Sequence, residues 1–355
     1  MRATKAETIP NPFLEDLNAF PRVADVTKRY NALSLFAGGG GLDLGVQLAG
    51  FDVRFSSDIE PQLCETLEYN FPEAHVEPVD VQKLKKRDIV SLAGEKDFDL
   101  LIGGPPCQSF SILGQRKSFG DPRGQLVYDY VRLVKEVKPR AFIFENVSGF
   151  LTVNKGNDWK EFLAYVALET GYSIKYAVVN AADYGVPQIR KRVIIVGVRN
   201  KKARFDFPLT THYGGRDKLN LLNASLPKWR PAIWAFENID GLPNHDIRIH
   251  GDRVTQRYSM IAPGSRDRVD HTDRIHPDLP SGTVLVGSKG GGGRPFIHPI
   301  VPRHISVREA ARLQSFPDWY VFRNTGTWQY RGVGNAVPPM LAHKIASALA
   351  TALDA

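Results

Sequence analysis

Cysteine is nearly absent from this chain: Cys64 and Cys107 are two residues in 355. A disulfide framework is excluded, and a reducing compartment is the expected setting. No run approaches the roughly 18 apolar residues of a membrane span. Residues 1–30 carry scattered charges and prolines where a signal peptide would need an apolar stretch, so a soluble, cytoplasmic protein is expected. Basic residues outnumber acidic ones chiefly in one third of the chain. Between Arg199 and Arg303 stand 17 Lys and Arg against 10 Asp and Glu, whereas the rest holds 29 against 28, which places nearly all of the formal charge of +8 in one segment. That concentration points to a surface facing a polyanion. Metal-type spacing is lacking too. His212, His245, His250, His271, His276 and His298 fall in this segment without a cysteine, and they read as polar contacts, with no metal centre.

What is present is length and alternation. With 43% hydrophobic residues, the chain has material for about two domains. From Asn31 to Val198, short apolar stretches ("ALSLFA", "FDLLIGG", "AFIFENV", "RVIIVGV") alternate with helical ones ("PQLCETLEYNF", "LVYDYVRLVKEVK", "WKEFLAYVALET"). The expected fold class is α/β, a doubly wound, mostly parallel sheet whose ligand sits at the carboxyl ends of its strands. From about 199 to 300 the regularity gives way to Gly- and Pro-punctuated pieces, a smaller loop-rich domain. "SVREAARLQSF" and "MLAHKIASALATAL" then restore helices. The expected division is an extension over 1–30, a main domain over 31–198 plus 327–355, and a second domain over 199–326.

"SLFAGGGGLDLG" follows a strand and opens a helix, yet it has no Gly-Lys-Ser/Thr, and Asp43 stands where a dinucleotide fingerprint wants its third glycine. A nicotinamide oxidoreductase is therefore disfavoured. Asp58 lies 20 residues past Gly38 at the end of "VRFSSD", where it can accept from a ribose diol, and Asp80 ends a third strand. A glycine turn with two strand-end acids suits an adenosine cofactor without a pyrophosphate; the loop alone is also compatible with a tight turn. Cys64, inside a helical pattern, reads as a small buried apolar residue. Cys107 lies beyond a strand end behind Pro105 and Pro106, where a loop can expose its sulfur and backbone N–H groups can stabilise a thiolate.

"GGPPCQSFS", "ENV" 38 residues on, "QIRKR" at 188–192, "REAARLQSFPD" and "GVGNAVPP", following "LFAGGGG" in this order, together resemble the cytosine-C5 DNA methyltransferase family of the bacterial restriction-modification type. The resemblance spans residues 32 to 350. It implies an S-adenosylmethionine-dependent methyltransferase fold with a target-recognition domain, and transfer of a methyl group from S-adenosyl-L-methionine to C5 of a flipped-out cytosine in double-stranded DNA. It assigns Cys107 as the thiolate that adds to cytosine C6, Glu145 as the acid at N3, Arg192 to O2, and Arg190 to positioning the cysteine loop or a phosphate. For the cofactor it implies Phe36, Ala37, Gly38, Gly40, Gly41, Asp58, Ile59, Asp80, Val81, Pro105, Asn335 and Ala336. For DNA it implies Gln108, Ser111, Arg123, Gln188, Thr283 and Val284, with Gln108 to Gly124 as a lid. A monomer is expected, nucleoid-associated through DNA, whose recognition site a cognate restriction endonuclease shares without stable binding. The alternative is the tRNA-methylating branch; its Cys-Phe-Thr has no counterpart, because no cysteine follows Cys107. A catalytically dead relative is disfavoured by the presence of Cys107, Glu145 and Arg192.

Overall fold

A computed structural model of the chain describes residues 10–106, 125–214, 225–285 and 296–355. Cys107, Gln108, Ser111, Arg123 and the rest of the expected lid lie outside the described residues. The alternating segments form one seven-stranded sheet built from β1 (Tyr30–Leu35), β2 (Phe51–Asp58), β3 (His75–Pro78), β4 (Leu100–Gly103), β5 (Ala141–Val147), β6 (Ser173–Asn180) and β7 (Lys191–Val198). Side by side the order is β3-β2-β1-β4-β5-β7-β6. The first five strands are parallel, while β7 runs antiparallel to both β5 and β6. Strand order reverses between β1 and β4, which opens a crevice at their carboxyl ends.

Helices α1 (Pro12–Asn18), α2 (Gly41–Leu48), α3 (Pro61–Asn70), α4 (Lys86–Ala93), α5 (Leu126–Val137) and α6 (Asn157–Thr170) precede α7 (Asp252–Ser259) in the basic segment. Three more close the chain: α8 (Val307–Leu313), α9 (Gly326–Asn335) and α10 (Pro339–Asp354). The period-two alternation of the strands sorts their side chains onto two faces. Ala141 and Ile143 join one cluster with Leu44 and Val46 of α2 and Leu341 and Ile345 of α10. Phe142 and Phe144 join the other with Ile89 of α4, Val134 of α5 and Phe162 of α6. Helices thus cover both faces, and β4, apolar at all but its last residue, is buried throughout.

The last helix, α10, packs against α2 beside β1. A Cβ added at Gly45 of α2 would stand 2.4 Å from the Ala342 Cβ of α10, so glycine is what allows this approach. Residues 11–20, part of the expected extension over 1–30, pack onto the rest of the protein. Phe13 and Leu17 of α1 are fully buried, Asn11 donates to Glu237 Oε2 at 2.9 Å, Asp16 pairs with Arg230, and Trp319 donates to the Phe20 carbonyl at 3.2 Å. Three apolar residues in a seven-residue helix (Phe13, Leu14, Leu17) give too short a pattern to read from sequence, and the partners of Asn11, Asp16 and Phe20 lie more than 200 positions away.

Past β7, polar hubs hold stretches with little regular structure. Buried Arg274 donates to the carbonyls of Tyr258, Ile261, Pro299 and Ile300, closing turns that no sheet ladder satisfies. The Ser306–Glu309 capping box starts α8, and Arg303 clasps the same Glu309 with both guanidinium nitrogens.

Candidate active site

A cleft of about 740 Å³ lies over the carboxyl ends of β1, β2, β4 and β5, with α9 along one side. One wall begins where β1 ends. Phe36 adopts a left-handed backbone (φ 56°), uncommon for an aromatic residue and held by its neighbours: the Ala37 N–H donates to the Ser57 carbonyl at 2.9 Å, and the Gly38 N–H donates to Asp58 Oδ2 at 2.9 Å. The other Asp58 oxygen accepts from the Glu60 N–H at 3.0 Å. Burial pushes the Asp58 carboxyl above the usual range, opposed by these two amide donors. Two acceptor sites on a carboxylate that offers about four are thereby used, leaving the rest for a ligand. Ile59, 64% exposed, presents an apolar face at the mouth, and half-buried Asp80 follows β3.

The opposite wall carries the acid–base pair. Glu145 and Arg192 lie on β5 and β7, whose antiparallel register sets Val147 opposite Arg192 and Glu145 opposite Ile194. Directly paired residues share a face, so Glu145 and Arg192 meet diagonally, Oε1 to Nε at 2.8 Å with 11% of each side chain exposed. Burial raises the Glu145 pKa, with Arg192 and then Arg190 opposing. The carboxylate lies over the loop after β4: a Cβ on Gly104 would be 2.6 Å from Glu145 Oε2. Asn146 donates to the Pro105 carbonyl at 3.0 Å, tying that loop to β5. Pro105 and Pro106 line the cleft immediately before Cys107.

Twelve of the expected residues line this cleft: Phe36, Ala37, Gly38, Asp58, Ile59, Asp80, Val81, Pro105, Glu145, Arg192, Asn335 and Ala336. Others sit elsewhere, for packing reasons. Gly40 and Gly41 lie behind the loop, where an added Cβ would meet Tyr320 Oη at 2.4 Å and the Val337 carbonyl oxygen at 2.2 Å; they permit close packing and do not face the ligand space. Arg190 is 1% exposed and donates to the carbonyls of Val284 at 3.2 Å and Gly334 at 2.8 Å. It stitches the Val284 stretch and α9 to the start of β7 and is buried there. Gln188, expected at DNA, is fully buried. It donates to the Leu313 carbonyl and Gln314 Oε1, both at 3.1 Å, and accepts from the Val284 N–H at 2.9 Å. Val284 is buried as well, and Thr283 Oγ1 donates to the Ile189 carbonyl at 2.9 Å. These three side chains join two segments of protein.

Asp43, Glu60, Asn146 and Arg331 also line the cleft and escape a sequence reading. Asp43 is fully buried, accepts from Ser56 Oγ at 2.9 Å, and has its pKa pushed up to about 6 by burial; an acid inside the apolar "GLDLG" was the available signal. Arg331 precedes Asn335 by one helical turn, a relation visible only once that stretch is known to be helix. Among the described residues no group of three or more His, Cys, Asp or Glu is placed to hold a metal, and no helix is long and apolar enough to cross a membrane.

A crevice at the switch point of an open α/β sheet, with an acid ending β2, another just past β3 and a buried carboxyl–guanidinium pair beside them, is where such sheets bind their ligands. The model of the C-5 cytosine-specific DNA methylase family matches residues 30–351, and the chain belongs to that family. It is 35% identical over 365 residues to the type II methyltransferase M.XorII of Xanthomonas oryzae pv. oryzae, covering 90% of this chain and 84% of that one. Identity to M1.HphI of Haemophilus parahaemolyticus is 36% over 332 residues, 89% and 86% of the two chains. Among solved structures, a protein described as a DNA modification methyltransferase encoded within a prophage (E. coli) superposes with a TM-score of 0.74 at 28% identity, over 92% of this chain and all of the other. The S. pombe Dnmt2 methyltransferase shares the fold, with a TM-score of 0.63 at 21% identity over 92% of this chain and 100% of that one.

Proposed function

We propose that this C5 cytosine DNA methylase uses S-adenosyl-L-methionine to methylate a cytosine extruded from a specific duplex site, as the modification half of a restriction-modification system. The observation that carries the reading is the Glu145–Arg192 pair at 2.8 Å, facing the same cleft as the strand-end acids and adjoining the loop that leads into Cys107.

The residues present fit the cofactor. Asp58 has lone pairs to spare for a ribose diol, Ile59 offers an apolar face for a purine, and Phe36 offers an aromatic ring beside which a sulfonium is stabilised by about 0.5–2 kcal/mol. When bound, the cofactor supplies an electrophilic methyl group. Everything else falls to the chain. The Cys107 thiolate adds to C6, and the electron pair this releases makes C5 nucleophilic. Glu145, its carboxyl kept protonated more readily by burial, donates to N3 and offsets the charge growing on the ring. Arg192 holds Glu145 in place and presents its remaining donors toward O2. Once C5 has taken up the methyl group, its proton passes to water, the C5–C6 double bond re-forms and Cys107 leaves as the thiolate. The base must leave the helix, since an atom within the stack cannot be approached from both faces, at a cost of a few kcal/mol for unpairing and unstacking.

Residues 31–198 with 327–355 form the catalytic domain and 199–326 the recognition domain in this reading. The +7 balance between Arg199 and Arg303 serves phosphate contact, with affinity falling steeply as salt rises. The enzyme acts as a monomer, and its cognate endonuclease recognises the same site independently. Bisulfite sequencing of DNA from a methylation-deficient host expressing the wild type or Cys107→Ser tests the reading. Protected cytosines in one sequence context, seen with the wild type alone, are expected; protection equal in both would refute it.

A further inference from the structure

The charges lining the cleft are unequal in number and place. Asp43, Asp58, Glu60, Asp80 and Glu145 bring carboxyls to it, and among the described residues only Arg192 and Arg331 bring guanidinium groups. Arg192 is engaged with Glu145 at the end where the base reacts. Arg331 stands apart on α9. Its Nη2 lies 3.3 Å from Glu60 Oε1 with about a third of each side chain exposed, and its guanidinium stacks over the Trp328 ring at 4.4 Å. A pair this exposed contributes little by itself and opens readily for a competing anion. The stacking fixes the guanidinium plane, and among the described residues only Nη2 is engaged, by Glu60.

The position of Arg331 along the cleft is fixed by its neighbour. Gly332 abuts Gly39 of the glycine loop so closely that a Cβ on Gly39 would lie 2.3 Å from the Gly332 carbonyl oxygen. The backbone of Arg331 is therefore anchored beside the glycine loop, with its guanidinium at Glu60 on the cleft wall. The cofactor assigned above carries one carboxylate, on its amino-acid arm, and nearly every other charged group at the cleft would repel it. We propose, building on that assignment, that Arg331 is the residue that binds the α-carboxylate of S-adenosylmethionine, with Glu60 and Trp328 as positioning residues that hold the guanidinium ready in the free enzyme.

The test is calorimetric binding to the full chain of S-adenosylmethionine, S-adenosylhomocysteine and decarboxylated S-adenosylmethionine, which keeps the ammonium and sulfonium but lacks the carboxylate. Loss of a charge-assisted hydrogen bond predicts that Arg331→Ala weakens the first two by about tenfold to a hundredfold. Its affinity for the decarboxylated compound should stay within about twofold of wild type, which also shows that the variant is folded. Arg331→Lys should recover part of the loss. Equal weakening toward all three compounds would make Arg331 a mere brace of the wall, and no weakening toward any would remove it from the site; either result overturns the inference while leaving the methylase reading intact. A wild type that binds none of the three would instead overturn the cofactor assignment, and the inference with it.

Discussion

Replacing Gly39 by alanine tests how the glycine loop and α9 are held together. The added Cβ would lie 2.3 Å from the Gly332 carbonyl oxygen, 2.5 Å from its carbon and 2.7 Å from its Cα. All three are backbone atoms, so no side chain can rotate away. Ordinary Cβ contacts begin near 3.4 Å, and the two backbones must separate by about 1 Å, an overpacking that typically costs about 1–3 kcal/mol. Gly39 does not have the positive φ of its neighbours Gly38 and Gly40, so alanine is conformationally acceptable and loses less chain entropy on folding, returning about 0.4–1 kcal/mol. The steric term wins, and a net destabilisation of roughly 1–2 kcal/mol is expected. Gly332→Ala is the control from the other side of the contact. There the new Cβ meets the edge of the Phe322 ring at 3.3 Å and the Gly39 Cα at 3.5 Å, while alanine gains about 1 kcal/mol inside a helix, so stability should hold or rise. Because the separation carries Asn335 and Ala336 away from Gly38, cofactor affinity should fall in Gly39→Ala and change little in Gly332→Ala. Urea unfolding with calorimetric titration reads both quantities. Gly39→Ala matching wild type in both would show that the contact does not set the cleft.

Further outcomes follow from the same geometry. Cys107→Ser should abolish methyl transfer while cofactor binding persists, whereas Cys64→Ser should stay active because Cys64 is buried with its thiol pKa pushed up to about 12; single-turnover assays separate the two. Glu145→Gln should slow methyl transfer by about 10²–10⁴-fold with cofactor affinity unchanged. Since burial raises the Glu145 pKa, the wild-type rate should fall as pH climbs through that raised value, and the variant should lack this limb of the profile. His212, His298 and His304 have pKa values lowered to about 4, chiefly by burial, against about 6.5 in the unfolded chain. The unfolded state then binds more protons below pH 6.5, so stability present above that value should be lost as pH falls toward 4, read as a declining urea midpoint. Replacing His298 and His304 with glutamine should flatten that decline, and an unchanged slope would refute the assignment.

The sequence by itself determined the alternation that makes this an α/β sheet, because a two-residue period in "AFIFENV" and a helical period in "LVYDYVRLVKEVK" are local properties of backbone geometry. It also determined the acids Asp58, at the end of β2, and Asp80, just past β3, and the Gly-Pro-rich composition around Cys107, since each lies within a few residues of the pattern that identifies it. Tertiary structure alone decided which residues meet. The antiparallel entry of β7 brings Arg192 to Glu145, and strand direction leaves no trace in an apolar run such as "RVIIVGV". Arg190 and Gln188 sit in the same "QIRKR" as Arg192, yet long-range bonds to residues 94 to 144 positions away bury them between segments. A motif names the residues that travel together; which side chain reaches the cleft, and which is used to hold it open, depends on the carbonyls and carboxylates that distant parts of the chain place beside it.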